Sequence, residues 1–225
     1  MKSSLILRLL PLLISFVLFT AGCEFERDSG LPVDGDGNVY DTVVIGTQVW
    51  LKENLKTTRF RDGTPIPLVT DNNKWASMTS AAYCWYNNNP VYKENYGALY
   101  NWYAAGYACP EGWHVPTKEE WETLKNYLGG WGGGKLKDPK FWSCPPGYMM
   151  DCSGNNETGF SARPGGFRTI NGGFFDIGHS VNWWSSTANE YGAWYIYFLS
   201  ESEMITLKAI PKKPGLSVRC IKDSN

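Results

Sequence analysis

Trp183–Thr187 and Ala193–Phe198, rich in aromatic and β-branched residues, read as strands, and apolar and polar positions alternate with a period of two in Ile205–Leu207 and Ser217–Ile221. That period predicts strands with one buried face. Near the start, the β-rich runs Val39–Ile45 and Val49–Leu51 flank Gly46-Thr47-Gln48 and predict a hairpin. A helical period appears after Pro116. Thr117 is a natural N-cap, Glu120 completes a capping box, and Trp121, Leu124 and Leu128 share one face before Gly129-Gly130 stops the helix. Lys118, Glu119, Glu122 and Lys125 fall on its wet side. Asp71–Ala82 predicts a helical turn around Trp75, followed by a strand at Tyr83–Tyr86. Gly97–Ala105, almost free of charge, reads as a short buried helix. From Gly129 to Gly173 the pattern dissolves into glycine-rich, irregular chain. No linker interrupts residues 34–223, so residues 34–225 are expected to form one domain of α+β type.

Before the domain the pattern changes. Lys2 and Arg8 precede an apolar run from Leu9 to Ala21 that is too short for a comfortable membrane span, the layout of an export signal over residues 1–22. The run ends in Phe19-Thr20-Ala21-Gly22-Cys23, which resembles the lipobox of bacterial lipoproteins, with Thr20 where that pattern usually has Leu. Cys23 is therefore the expected lipidation site, and residues 23–33 a polar, acidic tether. Acidic residues just after the cysteine resemble those of surface lipoproteins in Bacteroidetes-type bacteria, so outer-membrane or cell-surface display is expected.

Charge and composition narrow the partners. The 225 residues carry 21 Lys+Arg against 22 Asp+Glu, and cleavage after Gly22 removes Lys2 and Arg8 to leave a net −3. A balance of that kind offers no electrostatic footprint for nucleic acid. The unusual feature is 34 aromatic residues (11 Trp, 13 Tyr, 10 Phe), which with 24 Gly suits short elements and long loops pinned by large side chains. Export favours disulfides among Cys84, Cys109, Cys144, Cys152 and Cys220 over metal ligation. Cys144 and Cys152 bracket a turn-rich stretch, and a Cys109–Cys220 bridge would close a long loop, but spacing alone leaves connectivity open. Cys84 reads as a buried thiol. Asp34-Gly35-Asp36-Gly37-Asn38 has the start of a calcium loop, yet Ile45 stands where the bidentate Glu belongs, so it reads as a turn.

Three segments together carry a family resemblance: Thr42–Trp50 leading to Glu53-Asn54-Leu55; Cys109–Thr117 with Glu120-Trp121; and Trp183–Thr187 with Ser217–Cys220. They resemble the Fibrobacter succinogenes major paralogous domain of gut and rumen bacterial lipoproteins. The resemblance implies a C-type lectin-like fold: small twisted antiparallel sheets, one or two short helices and long irregular loops. It also implies a Cys109–Cys220 bridge. The Glu-Pro-Asn, Gln-Pro-Asp and Trp-Asn-Asp motifs of calcium-dependent lectins do not occur in this chain. The related formylglycine-generating enzymes use reactive cysteines near the C-terminus, where this chain has only Cys220.

The chemical inventory favours binding over catalysis. There is no G-x-S-x-G, H-E-x-x-H or phosphate loop, and Glu119 and Glu120 point apart on their helix. No catalytic residue, metal or cofactor is expected, and the expected role is adhesion, most of all to glycan, with a surface protein or a structural role as alternatives. By the same resemblance, recognition falls on Arg163–Trp184 and Asn189-Glu190-Tyr191. Arg168, Asp176, His179 and Asn182 are the expected hydrogen-bonding groups; Trp183, Trp184 and Tyr191 are the expected stacking surfaces, with at least one tryptophan in the core because the two alternate on a strand.

Overall fold

The computed structural model describes residues 30–224, so the expected leader at 1–22 and the expected acylation site Cys23 lie outside the described residues. The chain forms β1 (Thr42–Ile45), β2 (Gln48–Leu51), α1 (Asn72–Ser77), β3 (Tyr83–Cys84), α2 (Lys93–Tyr96), β4 (Leu99–Tyr100), α3 (Trp102–Ala105) and β5 (Trp113–His114). It continues through α4 (Lys118–Tyr127), α5 (Gly133–Leu136), β6 (Gly165–Arg168), β7 (Phe174–Ile177), β8 (Ser180–Asn189), β9 (Gly192–Leu199), β10 (Thr206–Ile210) and β11 (Ile221–Lys222). Mixed α and β structure, with small antiparallel sheets and few short helices, is the result.

The sheets order as β1-β2-β11-β5, β10-β9-β8, β3-β4 and β6-β7. The first hairpin forms as its sequence predicts, pairing Ile45 with Gln48 around a Gly46 turn. β11 then inserts between β2 and β5, with Ile221 opposite both Trp50 and His114. The Cys109–Cys220 disulfide lies beside this junction, and Cys144–Cys152 closes a loop of separation 8. Cys84 is a buried free thiol, its pKa pushed up to about 12 by burial, with Arg168 acting in the opposite direction. Asp34 shapes a turn: its carboxylate accepts from the Asp36 and Asn38 N–H groups, the Asn38 amide and the Tyr40 hydroxyl.

Alternation along β8 delivers its side chains to two separate cores. Trp183 joins a ladder of aromatic rings: Trp50 lies 4.7 Å from Trp121, Trp121 5.7 Å from Trp183, and Trp183 5.8 Å from Phe198. Trp184 enters the other core with Tyr100, Trp113, Val218 and the Cys109–Cys220 bridge, and its Nε1–H donates to the Tyr100 carbonyl at 2.8 Å. Asn54 ties the first core together. Its Oδ1 accepts from Trp183 Nε1–H at 2.9 Å and Arg219 Nη2–H at 3.0 Å, while its amide donates to the Tyr96 carbonyl.

Two segments differ from their sequence patterns. The expected helix over 97–105 is confined to α3, because Leu99 and Tyr100 pair with Tyr83 and Cys84 and Tyr100 also bridges Leu216. Within the glycine-rich stretch, α5 and β6 are regular; β6 finds its partner β7 across the Thr169–Gly173 turn.

Candidate functional site: a tyrosine-lined cavity

On one face of the three-stranded sheet, Ser180, Asn182 and Trp184 of β8 stand opposite Leu199, Tyr197 and Tyr195 of β9. Tyr197 and Tyr195 in turn stand opposite Thr206 and Lys208 of β10. With Phe167 of β6, Asp176 of β7 and the segment through Pro211, Pro214 and Leu216, this face bounds a cavity of about 450 Å³. That volume lies among small-molecule sites, which run from roughly 300 to 1,000 Å³.

Its floor is aromatic. The Tyr195 and Tyr197 rings lie nearly parallel, 5.4 Å apart and 16° inclined, because residues two apart on a strand share a face. The Lys208 ammonium sits 5.4 Å from the Tyr197 ring centroid. Burial, then the neighbouring Tyr197, pushes the Tyr195 hydroxyl up to about 12, so it stays a neutral donor at physiological pH.

The polar groups sit at the edge. Asn182 donates to Ser180 Oγ at 2.7 Å, and Thr169 Oγ1 accepts from the Gly173 N–H at 3.1 Å. Asp176 adopts φ 63°, left-handed backbone inside a strand, a conformation that typically stores about 1–3 kcal/mol in a non-glycine residue. Facing it, Gly166 has φ 62°, and a Cβ there would strike the Phe175 carbonyl and the Ile177 nitrogen. This paired distortion leaves Asp176 exposed at the cavity, where its carboxylate accepts no hydrogen bond within the described residues.

Of the residues that the sequence nominates for binding, the structure brings Asp176 and Asn182 together here. Arg168 is corrected to a structural role: it is fully buried, and its guanidinium donates to the carbonyls of Val69, Thr70 and Gly172 and to Asn72 Oδ1. It also lies 4.3 Å from the Trp75 ring centroid, and full burial keeps the guanidinium out of reach of a ligand. Trp183 and Trp184 are likewise corrected; both are fully buried, one in each core, and neither can offer a ring face to solvent. His179 is half-buried in the β7–β8 turn, its N–H bonded to the Asp176 carbonyl, and does not line the cavity. Tyr191 is 78% exposed at the tip of the β8–β9 hairpin, away from the cavity lining. Tyr195 and Tyr197, which no nomination included, were legible as alternate positions of the Ala193–Phe198 pattern.

A second polar cluster joins β5, α4 and the chain after β11. His114 Nδ1 lies 2.5 Å from Asp223, and Nε2 lies 3.0 Å from both Glu120 oxygens. The Glu120 bond comes first among the causes that hold His114 above the usual histidine value, with burial opposing and Asp223 adding to it. Both ring nitrogens face carboxylates, so neither is free to take a proton from a nucleophile. Among the described residues no cluster of three or more His, Cys, Asp and Glu side chains could hold a metal ion, and no helix is long and apolar enough to cross a membrane.

Residues 43–222 match the family model of the Fibrobacter succinogenes major domain. No curated protein and no solved structure matches the chain.

Proposed function

The chain belongs to the Fibrobacter succinogenes major domain family, and from that membership and the tyrosine-lined cavity we propose that it is a non-catalytic glycan-binding module. The observation that carries the reading is the stacked Tyr195–Tyr197 pair beside the Asp176 carboxylate, which accepts no hydrogen bond among the described residues. A pyranose ring would lay its C–H face against one ring of this stacked pair, while its hydroxyls donate to Asp176 and exchange hydrogen bonds with Asn182, Ser180 and Thr169. Among the described residues Asp176 is the one carboxylate lining the cavity, whereas glycoside hydrolysis ordinarily needs two. A single acid suits holding a sugar rather than cleaving it.

The same proposal extends to architecture and address. A C-type lectin-like arrangement is supported by the union of the first hairpin with the final strand and by the disulfide from Cys109 to Cys220. Ala21-Gly22-Cys23 supports a lipid anchor at Cys23 and display at the outer membrane or cell surface. One observation favours a protein partner as the second reading: in the Cys144–Cys152 loop, Met149 is 96% and Met150 69% exposed.

Glycan-array binding by the purified protein tests the proposal. Binding should weaken about tenfold or more in Tyr197→Ala and Asp176→Ala, the loss of roughly 1.4 kcal/mol, while Tyr191→Ala retains it. Silence across plant, mucin and bacterial glycans, or binding that both cavity variants preserve, would refute it.

A further inference from the structure

The other face of the β8–β9–β10 sheet borders a second cavity, of about 420 Å³, against α4 and the loop that follows it. Two indoles line it, Trp131 and Trp194. Trp131 is 66% exposed, yet its loop is tightly held: the Gly130 N–H donates to the Lys125 carbonyl, the Gly133 N–H to the Glu203 carbonyl, and the Ile205 N–H to the Gly130 carbonyl. The glycines around it reflect close approach, since a Cβ on Gly132 would strike Leu128 and one on Gly133 the Glu203 backbone. In the run Gly129-Gly130-Trp131-Gly132-Gly133-Gly134, one side chain is therefore presented on a backbone pinned from both sides.

The charged side chains lining this cavity are Lys118, Glu122 and Lys125, whereas the lining of the tyrosine cavity contributes Asp176. Lys118 lies 4.7 Å from the Trp194 ring centroid and pairs with Glu122 at 3.1 Å. Lys125 also lines the cavity and forms no ion pair among the described residues. Two ammonium groups against one carboxylate leave this cavity cationic in a chain of formal net charge −1.

We infer that this is a second carbohydrate site, selective for acidic sugars, in which Trp131 stacks on a hexuronate ring and Lys125 holds its carboxylate. Trp194 forms the second aromatic wall, and Lys118, oriented by Glu122, adds positive potential. The inference does not depend on the tyrosine cavity, because the two sites share no side chain.

Calorimetric titration of the full-length protein with oligogalacturonate and with its methyl ester provides the test. The acid should bind about tenfold more tightly than the ester, and its affinity should fall steeply as salt rises from about 50 to about 500 mM. Trp131→Ala and Lys125→Gln should each remove that preference, Lys125→Arg should restore it, and Tyr197→Ala should leave it intact. Thermal unfolding of each variant separates a binding defect from a folding one, and Trp131 makes a mild substitution because it is exposed. Equal affinity for acid and ester, absence of binding, or loss in Tyr197→Ala rather than Trp131→Ala would overturn the inference; the last would assign acidic sugars to the tyrosine cavity instead.

Discussion

Arg168 shows how a charged residue can serve as scaffold. Its guanidinium is fully buried yet joins the Val69–Asn72 segment to the β6–β7 turn through carbonyl and amide oxygens. Arg168→Met should destabilise the protein by about 3–5 kcal/mol, since each stranded carbonyl forfeits a partner. Arg168→Lys should recover little of this, because a point charge cannot span the fork. Urea unfolding would measure both. His114 gives a pH signature. Its folded pKa is raised, so its stabilising effect is complete below the unfolded value of about 6.5 and fades as pH rises through the folded pKa. Glu120 has the opposite sign: burial raises its pKa, but the His114 bond and the Thr117 N–H outweigh it and hold the group below the usual carboxylate value, so its contribution is lost as pH falls through that lowered pKa. Solvent screening limits the pair to about 1 kcal/mol or less. His114→Gln should therefore lower the thermal midpoint more at about pH 6 than at about pH 9.

At the scale of elements, local chemistry was legible wherever it sufficed to define an element. The capping box is present as its sequence implies, with the Glu120 N–H donating to Thr117 Oγ1 at 3.2 Å and the Thr117 N–H to Glu120 at 2.8 Å. Thr117→Ala should cost about 1 kcal/mol, read as a shift in the urea midpoint. Where an element depends on a distant partner, the local pattern misled. Leu99-Tyr100 lacks charge and looks helical, but β3 and Leu216 compete for its backbone and win. The cavity residues were obscured for a related reason. Alternation on β8 marks Trp183 and Trp184 as facing opposite ways; only packing shows that both faces are covered there, while the same sheet is open beside Tyr195 and Tyr197. Trp183→Ala should cost about 3–5 kcal/mol and report on folding, not recognition.

For the whole molecule, the motifs by which the sequence resembled its family turn out to be joints. Asn54 meets Trp183 and Arg219, Cys109 meets Cys220, and His114 meets Glu120. Residues far apart in sequence were thus legible as a set before their contacts were known, whereas the tyrosine cavity was legible only in its Arg163–Trp184 part and the second cavity not at all, since each is assembled from several separate segments. Of the two disulfides, Cys109–Cys220 spans a separation of 111 and Cys144–Cys152 a separation of 8. Loop entropy alone predicts that removing the first costs about 4–5 kcal/mol and the second about 2–3 kcal/mol. Double-serine variants compared by calorimetry would rank them.

The position of β11 also governs when the molecule can finish folding. The hairpin β1–β2 is complete early, but its inner edge stays open until Ile221 arrives to pair with Trp50. Contacts of such sequence separation form slowly, so the first strands made wait for almost the entire chain before they are sealed. A chain ending at Cys220 keeps its disulfide partner but loses the seal, and its earliest strands should exchange their amide protons fastest.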